Sequence, residues 1–308
     1  MLSRIAEALF WIGRYIERAE CTARILDVYL QLLVEDPVID EEATCRSILA
    51  AMGMAAEEDA DIASILRLLL HDPQSPTSIA YALESARENA RRSREVVSTE
   101  VWEALNTTYN AILAGELERM RPADAFRLTR ERTNMVSALA DHTQSHDDGW
   151  QFIVLGRHLE RIDMTARMIL AATYATGSAG SWSVTLRACG AAHAFTRTYR
   201  ASESERAAAE FLLMDRLFPR SVAHSLAVAG GCLEVLDPRQ RRLGFGGDAG
   251  RIIGQAQARL DLMSLSDLFS DIPAQMEQLQ LMCASATEAV AKRYFEGAVA
   301  PEWLGGAL

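Results

Sequence analysis

The sequence predicts an all-α fold, a helical bundle of about eight to ten helices made of two duplicated halves with pseudo-twofold symmetry. Three observations predict it: apolar residues recur with helical spacing along the first segment, prolines are few and far apart, and two segments recur at one common offset. The 49% hydrophobic content of the 308 residues is enough to fill a large core.

The first helix is predicted by an apolar stripe that steps by three or four residues from Ile5 onward. Pro37 predicts its end, because proline is excluded from helix interiors. The segments between the other prolines are rich in Ala, Leu, Glu and Arg without strand-like alternation, so they also predict helices. One of these helices is expected to follow Pro76 and to extend to Trp102 and Asn106.

Repeated segments predict an internal duplication. Residues 13–24 read GRYIERAECTAR and residues 156–167 read GRHLERIDMTAR, with seven identities in twelve positions. PTSIAYALESA, which begins at Pro76, and PRSVAHSLAVA, which begins at Pro219, share five residues in eleven. Both matches have the same offset of 143 residues (13 to 156 and 76 to 219).

The common offset predicts two related halves, over residues 1–146 and 147–308, within one continuous domain. Residues that both copies keep are candidates for a shared role. Polar residues that only one copy carries indicate where a ligand site is to be sought.

Charge and cysteine content exclude several classes of protein. A net charge of −11 and a pI near 5.1 argue against binding to nucleic acid or to anionic lipid. No stretch reaches the roughly 18 apolar residues of a membrane span, and charges from Arg4 onward interrupt the N-terminal run too soon for a signal peptide. Five scattered cysteines without a CxxC pair argue against a disulfide framework and a zinc ribbon. We expect a cytoplasmic protein without a bound metal.

A second stripe on the repeated helices carries charges that both halves keep. Its members are Phe10, Arg14, Glu17, Cys21, Arg24 and Val28 in the first copy, and Ile153, Arg157, Glu160, Met164, Arg167 and Ala171 in the second. Because apolar residues frame these charges, we expect partial burial, and a buried arginine must be paired or bind an anion. We predict that Glu17 pairs with Arg14 and Glu160 with Arg157, three residues away in each case.

Four further arginines show no obvious local partner: Arg18, Arg24, Arg161 and Arg167. Two interpretations stay open. They pair across the halves about the pseudo-twofold axis, which is a structural role, or some of them clamp a carboxylate or phosphate, for which the guanidinium fork is suited.

One charged cluster occurs in the first half only and comprises Arg87, Glu88, Asn89, Arg91, Arg92, Arg94 and Glu95. At the positions that correspond to Arg87, Glu88, Asn89 and Arg91, the second half has Gly230, Gly231, Cys232 and Glu234. This asymmetry makes the cluster a candidate ligand site, beside which Trp102 and Asn106 are expected to pack. The alternative is a solvated helix face.

Four segments carry a family resemblance: IGRYIERAECTAR, SARENARRSREVVSTEVWEALN, GWQFIVLGRHLERIDMTAR and FLLMDRLFPRSVAHSL. In this order they resemble the alpha-E domain family, bacterial helical proteins named for a Glu-Arg motif, over nearly the whole chain. The motif maps onto Glu17-Arg18 and Glu160-Arg161.

The resemblance implies a functional context. Such proteins are typically encoded beside, or fused to, a circularly permuted ATP-grasp amide ligase, often with a transglutaminase-like protease. It therefore implies ATP-dependent peptide synthesis or modification, with ATP and Mg²⁺ bound by the partner ligase and no cofactor in this chain.

These observations lead to the expectation of a non-catalytic helical partner that binds the ligase, or a peptide or amino-acid carboxylate, through its Arg/Glu faces. The alternative is a stand-alone enzyme in which Glu17 or Glu160 acts as an acid or base beside arginines. No catalytic residue can be named, since the sequence lacks a Glu-x-x-His pattern, a Gly-x-Ser-x-Gly elbow and a Walker loop. A purely structural assembly module is a third possibility that the sequence does not separate from the first.

Overall fold

The computed structural model describes residues 2–55, 60–174, 182–199, 204–237 and 247–295. Within these ranges the chain forms fifteen α-helices and no β-strand, with one π-helical turn over Arg67–His71. The helices are α1 (Ser3–Glu35), α2 (Glu41–Ala51), α3 (Ile62–Leu66), α4 (Ile79–Arg92), α5 (Thr99–Leu113), α6 (Glu116–Arg119), α7 (Pro122–Thr143), α8 (Asp148–Tyr174), α9 (Trp182–Ala188), α10 (Ala192–Tyr199), α11 (Glu205–Met214), α12 (Val222–Leu236), α13 (Asp248–Leu262), α14 (Leu265–Ser270) and α15 (Ile272–Tyr294).

The predicted all-α class is confirmed, and α1 ends at Glu35, just before Pro37 as predicted. The number of described helices exceeds the expected eight to ten. Five of them, α3, α6, α9, α10 and α14, contain eight residues or fewer. A helix of one or two turns is too short for an apolar stripe to repeat, so the sequence does not distinguish it from a connection.

The two longest described helices, α1 and α8, pack against each other through a pair of glycines. A Cβ atom on Gly13 would overlap the carbonyl oxygen of Ile153, and one on Gly156 would overlap that of Phe10. Because glycine has no Cβ, the two backbones can touch at these points. Residues 8–23 of α1 are all buried, so this helix lies at the centre of the molecule.

Each central helix is covered by long helices. α4 and α7 pack on α1 with α5 behind them, whereas α12 and α15 pack on α8 with α13 behind them. Two short helices reach the opposite central helix, since α2 contacts α8 and α9 contacts α1. One hydrophobic core cluster includes apolar residues on both sides of the connection between α7 and α8. The sequence places the boundary between the two predicted halves at this connection. Within the described ranges, no helix offers an apolar run long enough to cross a lipid bilayer.

The helix that follows Pro76 is shorter than the sequence predicts. The side chain of Ser78 caps its first turn, and the helix, α4, ends at Arg92. Arg94 and Glu95, which the sequence placed on this helix, lie beyond its end.

Trp102 and Asn106 belong to a separate helix, α5. Ser93 is the C-cap of α4, and the Oγ of Ser98 caps α5 by accepting a hydrogen bond from the backbone nitrogen of Val101 at 3.3 Å. The prediction of one continuous helix is therefore wrong, because serine side chains favour helix ends over helix interiors. α5 nevertheless packs on α4, which keeps both residues beside the first-half cluster.

Candidate functional site

Where α1 and α8 meet, the charged residues of both Glu-Arg segments form one buried group, which we call the ion cluster. The Glu160 carboxylate accepts hydrogen bonds from Arg14 Nε at 2.6 Å and from Arg18 Nε and Nη2 at 2.6 and 3.0 Å. The Glu17 carboxylate accepts from Arg161 Nε and Nη2 at 2.8 and 2.6 Å. Arg18 and Arg161 thus pair across the halves, the first of the two interpretations that the sequence left open.

The pairing predicted within each helix is wrong. Glu17 bonds Arg161 of α8 instead of Arg14, and Arg157 donates to Asp141 of α7 at 3.0 Å instead of to Glu160. The cause is the glycine contact between α1 and α8, which brings facing side chains of the two helices within hydrogen-bond distance. Residue spacing along one helix does not reveal such an approach.

Arg24 and Arg167 do have local partners. Arg24 pairs with Glu20, and Arg167 Nε donates to Asp163 at 2.9 Å. The sequence contains the signal for both pairs, because residues four apart lie on the same side of a helix.

The same two arginines cover the ends of short helices. Gly53 follows α2 and Gly190 follows α9, with φ angles of +72° and +66°. A Cβ on Gly53 would lie 2.6 Å from Arg167 Nη1, and one on Gly190 would lie 3.2 Å from Arg24 Nη1. Arg167 of α8 therefore lies against the end of α2, and Arg24 of α1 lies against the end of α9.

Arg220 is a member of the ion cluster that the sequence analysis missed. It lies just before α12, where its Nη1 donates to Glu17 Oε1 at 3.1 Å and its Nη2 pairs with Glu20. The available signal was a difference between the repeats, since Arg220 occupies the position of Thr77 in the first half.

The arginines keep both glutamates ionised despite their burial. Burial by itself would raise the pKa of Glu160, but Arg18 and Arg14 outweigh it and lower this pKa to about 2. The same balance between burial and two arginines holds the pKa of Glu17 below its ordinary value. Such carboxylates are weak bases at neutral pH.

Glu17, Glu20 and Cys21 have potential metal-ligand atoms within 4.8 Å of one another. Both carboxylates already bond to arginines, and burial raises the pKa of the Cys21 thiol, which donates to Glu17 at 3.5 Å. Metal binding needs a thiolate and available carboxylates, so this set does not favour a cation. All five cysteines are free and buried, consistent with the predicted lack of a disulfide framework.

The centre of the ion cluster is closed to solvent, whereas Arg161 and Arg220 at its edge are partly exposed. Arg18 is 2% exposed and Glu160 is 0% exposed. Arg18 Nη1 also donates to the carbonyl of Pro76 at 3.3 Å, and Arg161 Nη1 donates to that of Pro219 at 3.1 Å. These bonds connect the centre to the turns before α4 and α12, so the geometry is that of a core that holds helices in place.

An open groove of about 960 Å³ lies on the first half, and it is lined by residues of α1, α4 and α5. Its lining includes Glu7, Trp11, Tyr15, Tyr81, Arg87, Glu88, Asn89 and Tyr109. Of the seven residues in the predicted first-half cluster, Arg87, Glu88, Asn89 and Arg92 line this groove. Arg91 does not line it, although it pairs with Glu88.

Groups of α5 hold Arg87 in place. Its Nε and Nη2 both donate to Asn106 Oδ1 at 3.2 Å, and its guanidinium carbon lies 5.4 and 4.9 Å from the ring centres of Trp102 and Tyr109. The prediction that Trp102 and Asn106 pack beside the cluster is confirmed.

Glu88 belongs to a more exposed ion network. It accepts from Arg91 Nε and Nη2 at 2.9 and 2.7 Å and from Arg92 Nε at 3.2 Å. The hydrogen bond from Arg91 lowers the pKa of Glu88 to about 2. The alternative of a solvated face therefore describes Arg91, whereas Arg87 is part of the groove wall and the exposed Arg92 lies at the groove as well.

The chain matches a known family over nearly its whole length. Residues 1–295 match the family described as a predicted alpha-helical domain with a conserved ER motif. This chain belongs to the Alpha-E family. In this Alpha-E chain, the Glu-Arg pairs Glu17-Arg18 and Glu160-Arg161 both lie in the ion cluster.

Curated relatives of the Alpha-E chain include uncharacterised proteins of Mycobacterium bovis and Mycobacterium tuberculosis, each 27% identical over 254 residues. The match covers 72% of this chain and 28% of each relative, so the chain spans little more than a quarter of their length. No solved structure matches the chain.

Proposed function

We propose that this Alpha-E chain is a non-catalytic helical partner of an ATP-grasp amide ligase in a peptide synthesis or modification system, with the first-half groove as its recognition site. The observation that carries the proposal is the division between the two polar sites. The glutamates Glu17 and Glu160 of the ion cluster are buried and bonded to arginines, whereas the groove on the first half presents Arg87, Glu88 and Asn89 to solvent. At the corresponding positions α12 has two glycines and a cysteine.

The ion cluster supports a partner role more than a catalytic one. An acid or base must reach the substrate, but Glu17 and Glu160 are each bonded to two arginines and shielded from water. Their lowered pKa values also make them weak bases. The stand-alone enzyme therefore lacks a reactive group that a substrate could reach in this cluster.

The length of the relatives also supports a partner role. The Alpha-E match accounts for 28% of each mycobacterial protein, so in those proteins it is joined to a much larger remainder. In the proposed system, ATP and Mg²⁺ bind to the ligase, a transglutaminase-like protease is a further partner, and the complex works in the cytoplasm.

We also propose that the chain is a tandem duplication, 1–146 and 147–308, about a pseudo-twofold axis. Several contacts recur at the 143-residue offset and support this origin. Gly13 meets Ile153 as Gly156 meets Phe10, and the bond from Arg18 to the Pro76 carbonyl recurs in the second half. A duplicated scaffold would offer two equivalent faces, of which the first acquired or kept the charged groove.

The test is purification of the tagged chain from its native cell, with identification of co-purifying proteins by mass spectrometry. We expect recovery of an ATP-grasp ligase, and formation of an amide product by that complex with ATP. Arg87→Ala should reduce product formation at least tenfold, the loss expected for one charge-assisted contact. Arg127→Ala, at an exposed position on α7, is the matched control.

Two results would contradict the proposal. One is that the tagged chain is purified without a ligase under several mild conditions. The other is turnover by the purified chain alone, which would establish the stand-alone enzyme. Variants of the ion cluster are unsuited to testing recognition, because they would disturb the fold.

A further inference from the structure

The groove carries equal numbers of positive and negative side chains. Its lining contains three arginines, Arg4, Arg87 and Arg92, and three glutamates, Glu7, Glu84 and Glu88. A simple anion such as phosphate would meet the three carboxylates as well as the arginines. A ligand with both an ammonium group and a carboxylate matches this balance of charges.

The negative side of the groove has unused pairing capacity. Among the described residues, no hydrogen bond or ion pair of 4 Å or less reaches the carboxylates of Glu7 and Glu84. Glu7 is only partly exposed, and burial raises its pKa, with Arg92 acting in the opposite direction. A ligand ammonium beside Glu7 would supply the charge partner that this partly desolvated carboxylate lacks.

The positive side offers one free edge of a fixed arginine. Nε and Nη2 of Arg87 are occupied by Asn106, and the ring of Tyr109 lies 4.9 Å from the guanidinium carbon. Nη1 lies 3.8 Å from Glu88 Oε2, which is longer than a hydrogen bond. A ligand carboxylate can therefore accept a hydrogen bond from Nη1, whose contact with Glu88 is only a long ion pair.

The floor of the groove is aromatic. The rings of Trp11 and Tyr15 lie 5.4 Å apart, and Tyr81 meets Tyr15 edge-on at 6.0 Å. Arg14 and Arg18 of the ion cluster lie against Trp11 and Tyr15 at 5.5 and 5.3 Å, which fixes both rings. The volume of about 960 Å³ is at the upper end of small-ligand sites, so it suits several residues of a peptide rather than one amino acid.

We infer that the groove binds a short peptide with free termini, its ammonium group at Glu7 and Glu84 and its carboxylate at Arg87 Nη1, with the chain lying over the aromatic floor. The inference rests on the proposed function in taking the groove as the recognition site. It adds the class of ligand, a zwitterionic peptide that an amide ligase could use or produce.

The test uses four versions of tetra-alanine and the isolated full chain: free termini, acetylated N-terminus, amidated C-terminus, and both ends blocked. Binding is measured by titration calorimetry. We expect saturable binding of the free peptide, about tenfold weaker binding when either end is blocked, and none with both blocked, because each block removes one charge-assisted contact. Equal affinity for all four peptides, or no saturable binding of the free peptide, overturns the inference.

Two variants assign the ends of the peptide. The double variant Glu7→Gln, Glu84→Gln should bind the free and acetylated peptides equally while it still prefers a free carboxylate, and Arg87→Gln should show the opposite pattern. Glu234→Gln, on the exposed face of α12, is the control and should keep both preferences. Circular dichroism checks that each variant is folded. Retention of both preferences in the double variant would overturn the assignment.

No ligase is present in these titrations. Peptide binding without co-purification of a ligase would therefore refute the proposed partner and keep the ligand. Co-purification of a ligase without peptide binding would support the proposed partner and refute the peptide ligand.

Discussion

Glu160 shows why the ion cluster is stabilising only as a complete set. Removing a carboxylate and two guanidinium groups from water costs several kcal/mol per ion, and their mutual attraction compensates only while all partners are present. Glu160 receives three hydrogen bonds from Arg14 and Arg18 and is wholly shielded from solvent. The loss of one member therefore leaves the others buried without compensation.

We predict that Glu160→Gln lowers the free energy of unfolding by about 3–5 kcal/mol, because Arg14 and Arg18 lose their shared charge partner. The measurement is urea-induced unfolding followed by circular dichroism. Glu88→Gln is the control; it removes a carboxylate that is about one third exposed and should cost less than about 1 kcal/mol. Equal urea midpoints of unfolding for the two variants would show that the buried ion cluster contributes no more to stability than the more exposed network around Glu88.

We also predict that the protein loses stability in acid. The pKa of Glu160 in the folded chain, about 2, lies below its ordinary value of 4.5, so its stabilisation is fully present above pH 4.5 and is lost as the pH falls towards 2. The shift corresponds to about 3 kcal/mol, and the lowered pKa of Glu17 acts in the same direction. Urea unfolding at several pH values measures the loss. A wild-type curve with the same slope below pH 4.5 as that of Glu160→Gln would contradict this prediction.

At this scale the sequence predicted burial better than it predicted partners. Flanking apolar residues correctly indicate that Arg14 and Arg157 are largely buried. Their partners, Glu160 and Asp141, lie on other helices, and helical periodicity contains no information on which helices touch.

At the level of helices, the contact between α1 and α8 depends on two glycines, Gly13 and Gly156, whose lack of a Cβ lets the backbones touch. Gly13→Ala or Gly156→Ala would place a methyl group against a backbone carbonyl of the facing helix, which a rotamer change cannot relieve. We predict a loss of more than about 3 kcal/mol in the free energy of unfolding for either variant, measured by urea unfolding.

The matched controls are Gly231→Ala on α12 and Gly254→Ala on α13, where an added Cβ meets nothing within 4 Å. These variants should stabilise the protein by about 0.5–1 kcal/mol, since alanine is the better helix former. Similar changes in the free energy of unfolding at all four glycines would show that helix propensity, and not the contact between α1 and α8, determines the effect of each substitution.

The sequence predicted long helices well and their interruptions poorly. α1 carries an apolar stripe along its whole length, which predicted a long helix. Pro37 correctly predicted where this helix ends. The break between α4 and α5 depends on the caps Ser93 and Ser98 within a segment of otherwise helical composition. Serine occurs in both interiors and caps, so the sequence alone left this break undetected.

For the whole molecule, we predict that residues 1–146 and 147–308 do not fold when produced separately and assemble when mixed. Each half alone would expose a face of α1 or α8 and leave part of the ion cluster unpaired. Circular dichroism and gel filtration of the single and mixed halves provide the test. A second half that carries Glu160→Gln should assemble more weakly. Compact folded monomers of both halves would contradict the prediction.

The groove was partly predictable at this largest scale. The comparison of repeats indicated Arg87, Glu88 and Asn89, because these residues have no charged counterpart in the second half. Glu7 and Trp11 line the same groove from α1, and no spacing within α4 could have indicated them. Only the packing of α4 on α1 brings the two sets together.

The exchange of partners between the two Glu-Arg pairs also constrains how such a chain can evolve. A substitution at Glu17 leaves Arg161 without its carboxylate and removes one of the two carboxylates that Arg220 contacts, so a compensating change must arise on the facing helix before the mutation is tolerated. Elsewhere the residues at the same 143-residue offset differ in type, as Arg87 and Gly230 illustrate. We expect substitutions at the two motifs to be inherited together across Alpha-E proteins, as coupled changes at the contacting positions 17 and 161 and at the contacting positions 18 and 160.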